Sequence, residues 1–187
     1  MKVKVISGTL KGSTLKLPKS GVRATQERVK KSFFDILGDR VREAFVLDLF
    51  AGTGNLGIES LSREASRATF VEWETASVRL LRENLNRLGL LGRADVLQEN
   101  CFKAIRRLSH QGAKFDLVFV DPPYNIEVTT KFLRSLSGCD ILKPSALLVV
   151  RHPKQQLLSE EEGPLRLTRQ ERYGNTLVSF FKLKGES

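Results

Sequence analysis

Cysteine is scarce in this sequence: Cys101 and Cys139 are its only two, with no CxxC pair and no histidine pair nearby. That spacing excludes a disulfide framework and a zinc site. Each thiol reads as a small buried apolar side chain, and neither has a flanking base that would mark a nucleophile. Long apolar runs are missing too. None approaches the roughly 18 residues of a membrane span, and Met1 to Ser20 lacks the apolar core of a signal peptide, so the expected location is the cytoplasm. There is no internal repeat and no low-complexity linker, and 187 residues leave no room for two full catalytic domains.

What the chain does have is an uneven distribution of charge. It carries 31 Lys and Arg against 21 Asp and Glu, a formal net charge of +10. Residues 1–31 hold nine basic side chains and one acid, a net +8, so the remaining residues contribute only +2. A near-neutral body with a basic leading segment points to a polyanionic partner, most often nucleic acid. A solvated basic face with no partner is the plainer alternative.

Val3–Ser7 and Ser13–Leu17 alternate loosely around a glycine-containing turn and read as a hairpin, too small to stand alone. Thr25 reads as the cap of a helix with apolar positions Val29, Phe33, Ile36 and Leu37, ended by Gly38. Beyond it, short apolar runs at 45–50, 68–73, 94–97, 117–121 and 147–150 alternate with helical spacing at 55–61, 76–88, 102–108 and 128–136. Strands apolar on both faces and separated by helices predict an α/β fold with a parallel sheet. Leu165–Tyr173 and Thr176–Lys182, joined by Gly174-Asn175, predict a closing antiparallel hairpin, and Ser159–Gly163 reads as an acidic loop. The expected division is a basic hairpin over residues 1–22 and one domain over 23–187.

Two motifs carry chemistry. In Asp48-Leu49-Phe50-Ala51-Gly52-Thr53-Gly54-Asn55-Leu56-Gly57 a strand runs into a glycine-rich turn and a helix, satisfying GxGxxG, and Glu72 follows 20 residues after Gly52. In a doubly wound sheet such a turn lies under an adenosine ligand, with the acid on the ribose hydroxyls. Asp48 is awkward for a diphosphate. It suits a ligand bearing an amino group or a sulfonium, such as S-adenosylmethionine (SAM), or else it bonds the backbone amides of the turn. The second motif, Asp121-Pro122-Pro123-Tyr124, follows an apolar strand. A carboxylate, a stiffened backbone and an aromatic ring make an acceptor pocket for the exocyclic amine of an extruded nucleobase, with Tyr124 stacking on the base. A simple strand-ending turn is the alternative. Trp73 is either packing at the adenine edge or core, and His110 and His152 read as solvated or structural.

With Ile6-Ser7-Gly8, Lys11-Gly12, Arg23-Ala24-Thr25-Gln26-Glu27-Arg28-Val29, Val71-Glu72 and Tyr173-Gly174-Asn175-Thr176 added, nearly the whole chain resembles the RsmD family of SAM-dependent 16S ribosomal RNA guanine-N2 methyltransferases. The resemblance implies a class I, Rossmann-like methyltransferase fold: a seven-stranded, mostly parallel sheet with an antiparallel last strand, plus the N-terminal hairpin. It implies that Phe50, Gly52 and Gly54 border the methionine and ribose of SAM, that Glu72 holds the ribose, and that Asn100 and Cys101 face the adenine. Thr25 and Arg28 match the segment that closes over the methionine end. Ala24 replaces a usual proline, and Arg151 stands where an acid is usual; neither position reads as catalytic.

The expected chemistry is direct transfer of the SAM methyl to the guanine amine, without metal, with Asp121, Pro122 and Tyr124 as the catalytic residues. Lys2, Lys4, Lys11, Lys16 and Arg23 are expected to grip 16S ribosomal RNA, in the small subunit or an assembly intermediate of it, with no membrane involved. Three other readings exist. A nicotinamide oxidoreductase leaves Asp48 and Asp-Pro-Pro-Tyr unexplained and lacks a substrate domain. A non-catalytic RNA-binding assembly factor leaves Asp48, Glu72 and Asp121 without a purpose. A DNA or RNA amino-methyltransferase acting on adenine N6 or cytosine N4 shares the amine chemistry, so the motif alone does not choose the base.

Overall fold

Apolar runs bounded by glycine-containing turns become strands here, and the helical spacings between them become helices within two residues of the expected bounds. The computed structural model describes residues 3–18, 27–122 and 126–185, without the side chains of 126–128. It divides into two units, Met1–Cys101 and Phe102–Ser187.

The first unit contains β1 (Val3–Lys4), β2 (Thr14–Leu15), α1 (Glu27–Leu37), β3 (Phe45–Asp48), α2 (Asn55–Ser62), β4 (Arg67–Glu72), α3 (Thr75–Arg87) and β5 (Ala94–Gln98). Strands β3, β4 and β5 are parallel in the order β5-β4-β3, with Asp48 beside Phe70 and Glu72 beside Gln98. Val46 and Leu47 of β3 are fully buried, which is why that strand reads as a near-continuous apolar run; Ala68, Phe70 and Val71 of β4 are fully buried too, whereas β5 is only half-buried along its length. Register brings Asp48 and Glu72 to the carboxyl ends of neighbouring strands.

Strands β1 and β2 form the expected antiparallel hairpin. It is strapped to α2 and α3 by polar contacts. Ser62 Oγ donates to Ser7 O at 2.6 Å and accepts from Leu10 N at 3.0 Å. Asn84 accepts from Lys16 N at 2.8 Å and donates to Lys16 O at 3.1 Å. Glu59, fully buried in α2, accepts from Ile6 N at 2.9 Å and Ser7 N at 3.0 Å, and pairs with Lys30 of α1 and with Arg63 at 3.0 Å each. Lys30 also donates to Lys4 O at 2.7 Å and Asn55 Oδ1 at 2.9 Å. One buried ion pair therefore joins the hairpin, α1 and α2.

The second unit contains α4 (Cys101–His110), which begins on the last residue of the first, then β6 (Phe115–Val120), α5 (Ile126–Ser137), β7 (Leu142–Pro153), β8 (Glu161–Glu162), β9 (Leu165–Tyr173) and β10 (Thr176–Leu183). Its strand order is β6-β7-β10-β9-β8, with β6 and β7 parallel and the other neighbours antiparallel. The closing hairpin is as expected. Two features differ from the sequence reading. Strand β7 extends well past Leu147–Val150 because β10 pairs with Arg151, His152 and Pro153, polar positions that carry no apolar signal. Glu161 and Glu162 pair with β9 instead of remaining in a loop.

Candidate active site

The glycine-rich turn is closed by two carboxylates, both bonded to main-chain N–H groups. Asp48, 1% exposed, accepts from Gly57 N at 3.0 Å. Of the two roles open to it, anchoring the turn is therefore visible in the fold itself. Glu72 accepts from Gly52 N at 2.8 Å through Oε2, and from Trp73 N at 2.8 Å and Glu74 N at 2.9 Å through Oε1. A carboxylate offers about four lone-pair positions, so these bonds leave acceptor capacity for a hydroxyl donor.

The glycines divide by task. A Cβ on Gly57 would lie 2.2 Å from the Phe70 ring, and one on Gly54 2.6 Å from Leu81, so Gly57 lets α2 pack closely on β4 and Gly54 lets the turn pack closely on α3. Gly52 has φ +53° and a Cβ there would meet nothing within 4 Å: the turn is open on that side. Asn84 Nδ2 holds Thr53 O at 3.1 Å, so the side chain that fastens the hairpin also braces the turn. Phe50 is half-buried on the turn, Asn100 is exposed after β5, and Cys101 is buried at the start of α4. Arg28 is exposed in the first turn of α1; Thr25 lies outside the described residues. Trp73 is 74% exposed, which removes the core reading for it.

In the second unit, Asp121 follows β6 and is 12% exposed, with Pro122 buried beside it; Pro123 and Tyr124 lie outside the described residues. Arg151 Nε donates to Asp121 Oδ1. Arg151, which the sequence marks only as a cation where an acid is usual, meets Asp121 in the fold. In the β6/β7 register Val120 lies beside Val150, so the next residue of each parallel strand, Asp121 and Arg151, falls side by side. His152 is 2% exposed; its Nε2 lies 2.8 Å from Ser179 Oγ, which also accepts from Gln170 at 2.8 Å. Burial pushes the His152 imidazole below its ordinary pKa. It is structural, as expected, whereas His110 is exposed with Nδ1 2.7 Å from Arg106 O.

Among the expected RNA-gripping residues, Lys4 and Lys11 are exposed, and Lys16 is 55% exposed and paired with Glu83 at 3.0 Å. Lys2 and Arg23 lie outside the described residues. Lys30, part of the same basic run, is 0% exposed and faces inward, so its charge is spent on the fold. Desolvation lowers its pKa against the opposing pull of Glu59. Little in the sequence marks the Lys30–Glu59 clasp. Its one sequence signal is an acid set between the apolar Ile58 and Leu61 of a short helix. Among the described residues no cluster of three metal-ligating acids, histidines or cysteines occurs, and no helix is long and apolar enough to cross a membrane.

A family model described as "Conserved hypothetical protein 95" matches residues 3–182. The chain belongs to this, the RsmD family. It is 33% identical over 163 residues to the ribosomal RNA small subunit methyltransferase D of Haemophilus influenzae, covering 86% of this chain and 84% of that one. The solved structure of a hypothetical protein from Thermus thermophilus matches with a TM-score of 0.84 and 30% identity, over 97% and 99% of the two chains. A chain solved in complex with S-adenosylhomocysteine (SAH) shares the fold, with a TM-score of 0.72 and 15% identity over 87% of this chain and 50% of that one. The fold is thus α/β, that of the Rossmann-like methyltransferases, with a small N-terminal hairpin added.

Proposed function

We propose that this member of the RsmD family transfers a methyl group from SAM to the exocyclic N2 amine of a guanine in 16S ribosomal RNA of the small subunit. The observation that carries the reading is the open turn at Gly52, flanked by Asp48 and Glu72, in a chain that also places Asp121 and the buried Pro122 at the end of β6. Family membership and the substrate in the name of the Haemophilus relative support ribosomal RNA.

When bound, SAM supplies an electrophilic methyl group on a sulfonium, which passes to the amine nitrogen as the carbon–sulfur bond breaks. The fit rests on the side of the turn where Gly52 leaves space, on the remaining acceptor capacity of Glu72 for a ribose hydroxyl, and on the exposed Trp73 ring beside it for a flat apolar surface. Phe50, Gly54, Asn100, Cys101, Thr25 and Arg28 complete that assignment, and Asp48 holds the turn in shape. Asp121 accepts an N–H of the target amine, with the carbonyl of Pro122 as a second acceptor. Drawing both protons into fixed acceptors localises the nitrogen lone pair, which in a free nucleobase is delocalised into the ring. The amine proton leaves to solvent as the new nitrogen–carbon bond forms, so no strong base is needed.

Methyl transfer from tritiated SAM to small subunits purified from cells lacking the corresponding gene, followed by nucleoside identification, tests this. N2-methylguanosine is expected in 16S RNA. Labelled N6-methyladenosine or N4-methylcytidine would overturn the target base, and no label on subunits, precursor particles or naked RNA would overturn the activity.

A further inference from the structure

Proline after Asp121 restricts the backbone at that residue but does not fix the carboxylate, because the terminal torsion of aspartate is broad. An acceptor that must hold one N–H of a poorly nucleophilic amine along a fixed direction needs that rotation stopped. Arg151 is built to stop it. The β6/β7 register delivers it to the side of Asp121, one residue past the last β6/β7 pair, and pairing with Val178 of β10 holds its backbone on the other side. Its planar guanidinium carries N–H groups in a rigid fork and only donates, so the oxygen it meets, Asp121 Oδ1, is fixed as an acceptor. The next residue, His152, points the opposite way into the Ser179 and Gln170 contacts, which secures the direction of Arg151 through the alternation of the strand.

Resting on the proposed amine methyl transfer, we infer that Arg151 is a positioning residue for the methylated base: it acts through Asp121, setting the carboxylate direction that selects an exocyclic amine. It takes no direct part in bond making. The Asp121–Arg151 pair has no net charge, so its effect is directional, and a replacement that keeps a donor retains part of it.

The test measures kcat, KM for small subunits, SAM affinity by calorimetry, and melting temperature for Arg151→Ala, Arg151→Lys, Asp121→Ala and the Asp121→Ala/Arg151→Ala double variant. Arg151→Ala is expected to lower kcat by about 10- to 100-fold, with SAM affinity within about twofold, since the SAM-facing residues are elsewhere in the sequence. Arg151→Lys recovers at least part of the lost kcat, and on the Asp121→Ala background removal of Arg151 costs nothing further. A wild-type kcat in Arg151→Ala, beside an inactive Asp121→Ala, overturns the role of Arg151 and leaves the proposed function standing. So does a loss of kcat that tracks loss of melting temperature and SAM affinity and that lysine does not restore. Normal turnover in Asp121→Ala removes the proposed mechanism itself, and this inference with it.

Discussion

The carboxylates singled out in the two units of the chain are held in different ways. In Met1–Cys101 carboxylates meet the main chain: Asp48 on Gly57 N, Glu72 on three backbone N–H groups, Glu59 on two more. In Phe102–Ser187 they meet side-chain cations, Asp121 with Arg151 and Asp116 with Lys143. Backbone N–H groups are placed by the fold and cannot rotate away, so the first arrangement gives a rigid cradle for a ligand of fixed shape. A side-chain pair can be retuned by exchanging one residue while the fold stays the same, which under the proposed function suits residues that meet the target base. Glu59 belongs to both kinds, because Lys30 and Arg63 complete its coordination.

This contrast makes the largest expected effect one of stability in the first unit. Glu59→Gln leaves the buried Lys30 cation without its counter-charge and should cost about 3–5 kcal/mol in denaturant unfolding; a cost under about 1 kcal/mol would show that the clasp is dispensable. Asp121→Ala should cost about 10²-fold or more in turnover, roughly the effect of removing one preorganised group from a site, with little change in melting temperature. Asp48→Ala should do the reverse of that, weakening SAM affinity by about 10- to 100-fold, the value of a hydrogen bond to a charged group; calorimetry showing normal affinity would remove Asp48 from the cradle.

Neutralising Lys2, Lys4, Lys11 and Lys16 together should weaken RNA binding and lower its salt dependence by up to about one unit of slope for each phosphate no longer neutralised. SAM affinity should hardly move. Lys16 should contribute least, since Glu83 already pairs with it. Equal loss of both affinities would show the segment to be structural.

The smallest effect concerns pH. Burial lowers the His152 pKa, so below about 6.5 the unfolded chain takes up a proton that the folded one resists. Stability should therefore fall as pH drops from about 7.5 to about 5.5, and His152→Gln should flatten that part of the curve measured by thermal melting.

Much of this arrangement is legible in the sequence, for physical reasons that differ by element. Strands β3 and β6 announce themselves because both faces are buried, and the turn at Gly52–Gly57 because only glycine accommodates Phe70 and Leu81 so near the backbone. Asp121 is marked by its prolines. The far end of β7 is hidden because polar Arg151 and His152 are paired through the backbone, which leaves no trace in hydropathy. Partners distant in sequence leave even less: Arg151 and Asp121 are 30 positions apart and meet through strand register, while Lys30 and Glu59 are 29 apart and meet only through the packing of α1 and α2. The +8 of the leading segment is real as a count. Lys30 shows that a count does not say which way a side chain faces.

The division of labour is tested most directly by titrating SAM calorimetrically into Asp121→Ala and then following single-turnover methyl transfer to small subunits with the same preparation. Wild-type SAM affinity with a loss of transfer of about 10²-fold or more is predicted. Transfer at the wild-type rate, or a parallel loss of SAM binding, would contradict the separation of cofactor cradle from amine acceptor.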